Sequence, residues 1–87
     1  MAKLQIKTNL SSVVVCGEFC NWDIMNAMVV TKEKGKKNII VEKMPIGEYK
    51  VFQCKDFNSS EKCPICNLPR PNRRFDGKKD EVIQVIF

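Results

Sequence analysis

Apolar and polar residues alternate with a period of two at the start of this chain, and strand-forming stretches follow along nearly all of it. Lys3-Leu4-Gln5-Ile6-Lys7 sets the pattern, placing Leu4 and Ile6 on one side and Lys and Gln on the other. That period belongs to a half-buried strand. The strands expected are Lys3–Thr8, Ser12–Phe19, Ala27–Lys32, Asn38–Met44, Glu48–Lys55 and Val82–Phe87. Val13 to Val15 form a β-branched run of the kind that packs well in a buried strand. Turn residues separate the strands: Glu33-Lys34-Gly35-Lys36-Lys37 and Pro45-Ile46-Gly47. No helical period persists over a useful length. Short strands at this spacing predict one all-β domain spanning 1–87, a β-sandwich.

The segment 56–79 breaks the pattern. It is rich in Pro, Asn, Ser, Arg and Lys, and is long for an unorganised loop in a domain of 87 residues. Chains of this size bury only ~60 to 65% of their unfolded surface, so added staples are common.

Cysteine is the expected staple. Cys63-Pro64-Ile65-Cys66 has the spacing of a zinc knuckle, where a turn points two thiolates at one metal. With no histidine in the chain, the other two ligands come from Cys16, Cys20 and Cys54. The preferred set is Cys20, Cys54, Cys63 and Cys66 around a structural zinc, with Cys16 as an inert core thiol. Which of the three completes the site is not fixed by spacing. A redox dithiol is the competing reading, but it lacks the βαβ context. A catalytic zinc would need an open position and a general base, and no such constellation is present.

Cys16-Gly17-Glu18-Phe19-Cys20-Asn21-Trp22-Asp23 carries the only tryptophan. The glycine lets the chain turn, Phe19 can return to the core as a staple, and Asn21, Trp22 and Asp23 are left on a loop. Trp22 is then either a plug over Met25 and Met28 or a surface on which a ligand stacks.

The net charge of +5 reflects basic clusters at 32–37 and 70–79. Arg70, Arg73 and Arg74 read as a solvated edge, with docking of an acidic or phosphorylated partner as the alternative. Nucleic acid is disfavoured as a partner, because no aromatics interleave with the charges and no recognition helix is predicted. No apolar run approaches the ~18 residues of a membrane span. The N-terminus reads as a strand and not as a secretion signal, so the cytoplasm is the expected location. Without histidine, paired carboxylates or a serine nucleophile motif, no enzyme is expected.

Three segments, in order, carry a family resemblance. Val13 to Asp23 resembles the Gly-x-Phe-Asn-x-Trp motif of family 48 carbohydrate-binding modules. These include the glycogen-binding domain of the AMP-activated protein kinase β subunit and the early-set domains of glycogen branching and debranching enzymes. Ile46 to Asp56 is similar to the family's Gly-x-Tyr-x-Tyr-Lys-Phe-x-Val-Asp-Gly strand, and Gly77 to Val85 to its closing strand. The resemblance implies an immunoglobulin-like early-set sandwich that binds an α-glucan such as glycogen or starch without catalysis, alone or beside a glucan-active enzyme. It matches Trp22 to the family's first aromatic platform and Asp80 to a sugar-contacting Asn. Asn21 joins them as a hydroxyl partner. Two departures stand out: the family's sugar-contacting Lys falls on Phe52, and its second platform Trp has no counterpart, with Phe57 a partial substitute. The alternative function is a zinc-stabilised protein-interaction domain that has lost sugar binding and docks a protein at the Cys- and Arg-rich loop.

Overall fold

The computed structural model describes residues 2–63, 65–85 and 87. Among these residues seven strands form: β1 Leu4–Lys7, β2 Ser12–Gly17, β3 Met28–Thr31, β4 Ile39–Val41, β5 Gly47–Phe52, β6 Arg73–Phe75 and β7 Glu81–Gln84. Among the described residues there is no α-helix, only three single 3-10 turns. No helix among them is long and apolar enough to cross a membrane.

The strands divide into two sheets. One has the order β4-β1-β7, and the other β3-β2-β5-β6. All pairs are antiparallel except β1 with β7, which run parallel from Leu4 opposite Glu81 to Lys7 opposite Gln84. Leu4, Ile6, Ile39 and Val41 from the first sheet pack against Val13, Val15, Tyr49, Val51 and Phe75 from the second. Apolar burial between two facing sheets is therefore what holds the domain together. The result is an all-β, sandwich-like architecture.

The period-two pattern explains the inward faces. Leu4 and Ile6 point into the core, as do Ile39 and Val41, while Ile40 between them is exposed. β2 departs from simple alternation because both of its faces are covered. Val13 and Val15 lie between the sheets. Val14 and Cys16 lie in a second, smaller core with Ile24, Ala27 and Phe52, roofed by Cys20 and Trp22. The valine run is the sequence signature of that double burial.

Two local expectations are corrected. Phe19 is not a core staple: it lies 37% exposed, and the buried Ile24 fills the position under the loop instead. The segment 56–79 is not wholly irregular, because Arg73–Phe75 adds to the edge of the second sheet as β6.

That long segment is organised by an ion pair. Glu61 is only 2% exposed. Its two carboxylate oxygens accept from Arg73 Nε at 2.7 Å and Nη2 at 2.9 Å. The bidentate fork compensates a charge that would otherwise be costly to bury. Backbone bonds hold the same region to β5: Glu61 N–H donates to Val51 O at 3.0 Å, and Gln53 N–H to Ser59 O at 3.0 Å. Arg73 is thus a structural partner and not part of a solvated basic edge.

Candidate functional site

The second core is the floor of an open groove. β2 ends at Gly17, and a 3-10 turn, Glu18–Cys20, follows directly. Asn21 and Trp22 then both take left-handed backbone angles, φ 54 and φ 59. Asn tolerates that region well, whereas a bulky aromatic there is strained. Trp22 N–H donates to Gly17 O at 3.0 Å and fixes the loop. Asp23 caps the next turn, accepting from Met25 N–H at 3.1 Å and Asn26 Nδ2 at 2.7 Å. The consequence is a half-buried Trp22 anchored on the small core.

Trp22 lines a groove of about 410 Å³ together with Lys50, Phe52, Phe57, Ser60, Pro69 and Asn72. Three separate segments supply its aromatic rings. Phe52 is buried at its base, and Phe57 meets it edge-on, with ring centroids 5.7 Å apart and planes at 83°. Phe57 itself remains 54% exposed. Lys50 and Phe52, two residues apart on β5, share the outward face, while Tyr49 and Val51 point into the main core. Asn72 is held at the rim by donating Nδ2 to Glu48 Oε2 at 2.9 Å. An open groove with apolar rings and a few polar tips can stack a flat apolar face and bond hydroxyls around its edge.

The expected site residues separate into groups. Trp22 lines the groove, and Asn21 is exposed on the same loop. Asp80 lies elsewhere: it accepts from Lys3 N–H at 2.7 Å, at the start of the parallel β1–β7 pair in the other sheet. Lys50 and Asn72 were not anticipated. Lys50 was legible in hindsight, because it alternates with Tyr49 and Val51 along β5. Asn72 carries no local signal in a Pro- and Arg-rich stretch.

The structure does not gather Cys20, Cys54, Cys63 and Cys66. All five cysteines are free thiols. Cys16 and Cys20 face one another under the Trp22 loop, Sγ to Sγ 3.6 Å. Burial, and then the Cys20 thiol, push the Cys16 pKa up to about 12, the behaviour of a core thiol. Cys54 is exposed at the end of β5. Cys63 and Cys66 share the tip of the long segment. There the N–H groups of Cys66 and Ile65 hold the Cys63 thiol below its ordinary pKa. Among the described residues, no three His, Cys, Asp or Glu side chains converge as a metal site. Pro64, within the expected knuckle, lies outside the described residues.

Compared with protein-family models, curated proteins and solved structures, the chain matches none.

Proposed function

We propose that the groove binds an α-glucan of the glycogen or starch type, and that the chain is a noncatalytic binding module of immunoglobulin-like early-set fold. One observation carries this reading: Trp22, Phe52 and Phe57 converge from three segments on one open groove rimmed by Lys50 and Asn72. Trp22 and the exposed Phe57 offer ring faces to the C–H face of a glucose unit. The Lys50 ammonium donates to sugar hydroxyls, and the Asn72 amide can donate or accept. Phe57 takes the place of the family's second platform. Lys50 takes the place of the Lys that the sequence match puts at Phe52. Asn21 extends the rim, and the polar contact expected of Asp80 passes to Lys50 and Asn72. The order of the three family-like segments supports the glucan over other sugars. Five free thiols are in keeping with the reducing cytoplasm as its location.

A second reading rests on the exposed apolar tip of the long segment. Ile65 and Leu68 there are 93% and 62% exposed. Such a tip suits a protein-interaction domain.

The test follows Trp22 fluorescence during titration with β-cyclodextrin or a long maltooligosaccharide. A saturable change is expected. Phe57→Ala should weaken binding about fivefold, since an aromatic contact is worth ~1 kcal/mol beyond the area it buries. Trp22→Ala, read by starch pull-down, should abolish retention. Asp80→Ala should leave affinity unchanged. No response at millimolar sugar from a folded protein would refute the glucan reading and favour the protein-interaction alternative.

A further inference from the structure

The cysteine tip has features that the groove does not use. Lys62 and Pro69 form an isolated antiparallel bridge. Inside it, Cys63 N–H donates to Leu68 O at 2.8 Å and Asn67 N–H to Cys63 O at 2.8 Å. Asn67 closes the turn in the left-handed region, φ 59. Cys63 and Cys66 both lie on this one turn. One short, hydrogen-bonded turn thus carries two soft ligands.

A zinc-like ion bound by thiolates takes four ligands in a tetrahedron. This chain brings two to the tip. Cys16 and Cys20 are engaged with each other beneath the Trp22 loop. Cys54 is exposed on the loop after β5, and among the described residues no third Cys, His, Asp or Glu side chain joins Cys63 and Cys66. A tetrathiolate site at the tip would draw its other two ligands from another molecule.

The surroundings favour a second copy of the same tip. Ile65 and Leu68 flank the thiols and are largely exposed, so each could cover the other copy's apolar side chains. Arg70 lies close enough to Cys63 to act on its charge, and its buried Nε has no hydrogen-bond partner. An unpartnered cation of this kind suits a site that becomes negative. Four thiolates around a divalent ion make a dianion, which the two Arg70 side chains would offset. A two-fold axis through the metal makes the same patch complementary to itself.

We propose that Cys63 and Cys66 form half of a tetrathiolate zinc site, and that Zn²⁺ joins two copies of this chain tip to tip. The thiol protons pass to solvent as the ion binds. The site is independent of the groove and of its ligand.

The test uses the full chain, reduced, titrated with Co²⁺ as a coloured stand-in and with Zn²⁺ for mass. The expected result is an intense tetrahedral thiolate–Co²⁺ spectrum saturating at one metal per two chains. Sedimentation with Zn²⁺ should show the mass doubling, reversed by a chelator. Cys63→Ser and Cys66→Ser should each abolish both signals while circular dichroism stays native, since the tip lies outside both cores. Ile65→Glu should keep the thiols yet weaken dimer formation. Cys54→Ser and Cys20→Ser should change neither signal. Saturation at one metal per monomer, loss of binding in Cys54→Ser or Cys20→Ser, or no tetrahedral Co²⁺ spectrum would each overturn the proposal.

Discussion

Gly17→Ala tests how β2, β5 and the Trp22 loop depend on one another. Gly17 pairs with Tyr49 across the second sheet. Its backbone is extended, φ −171, so no left-handed conformation demands glycine there. The demand is for space. A Cβ on Gly17 would collide with the backbone oxygen of Glu48 and lie 2.9 Å from both Cα and Cβ of Tyr49. These are backbone atoms and the root of a buried ring, so neither can swing aside. β2 and β5 must separate, at a cost near the upper end of overpacking, about 3 kcal/mol. For a domain of this size that is a large share of a total stability of roughly 5 to 10 kcal/mol. With a urea slope of about 1 kcal/mol/M, the unfolding midpoint should fall by about 3 M. Trp22 reports the local effect, because its N–H bonds to Gly17 O. Its near-ultraviolet signal should change even where the variant is folded. Gly35→Ala is the control. Gly35 has φ +84 but nothing within 4 Å of a new Cβ. Only left-handed strain applies there, about 1 kcal/mol, with Trp22 undisturbed. A Gly17→Ala midpoint within 0.5 M of the parent would refute the steric account.

Two further outcomes are expected. Glu61→Ala leaves Arg73 partly buried and unpaired; it should cost about 3 to 5 kcal/mol and expose the 60–70 segment to limited proteolysis, whereas Lys55→Ala, an exposed residue donating to Met25 O, should do neither. Stability should also fall at alkaline pH: burial raises Cys16 from 9.0 and Tyr49 from 10.0, each to about 12, so both are neutral in the folded chain after the unfolded chain has ionised. Their contribution is intact below pH 9 and declines as pH rises toward 12, the Cys16 share from about pH 9 and the Tyr49 share from about pH 10; urea midpoints across that window should show the decline, and Tyr49→Phe should flatten its upper part.

Much of the fold was legible because strands announce themselves by period. Leu4 and Ile6, Ile39 and Val41, and Tyr49 and Val51 all alternate as expected and all face the main core. The run of valines told of a buried strand but not of its two different partners. β6 stayed hidden because Arg73-Arg74-Phe75 is short and mostly charged, and only burial of Phe75 reveals its direction. The Glu61–Arg73 pair was illegible for a different reason. They stand twelve positions apart, and no local rule links an acid to a base at that distance. Cysteine spacing identified the Cys63–Cys66 turn, yet it said nothing of where Cys16, Cys20 and Cys54 would lie. Thiols paired at short spacing are a local fact, and the remaining ligands of a metal are a tertiary one.

The groove's composition follows from the two-sided burial of β2. An ordinary sandwich strand leaves its outer face to water, and a groove there would have a polar floor. Here Val14 and Cys16 face outward and must be covered, so the chain folds Ile24 and Ala27 over them and roofs the patch with Trp22. Phe52, on the neighbouring strand, joins the same apolar patch, and Phe57 closes on its edge. The aromatic character of the groove is thus imposed by the need to bury an outward-facing row of β2. The polar tips at its rim are not. Burial of that row gives no reason for Lys50 and Asn72 to line the groove. A ligand site would use those two residues, whereas a packing plug would not. Lys50→Met and Asn72→Ala should therefore leave the urea midpoint nearly unchanged while reducing the response to sugar. Equal loss of stability and binding would mean that the groove is only the outer surface of the second core.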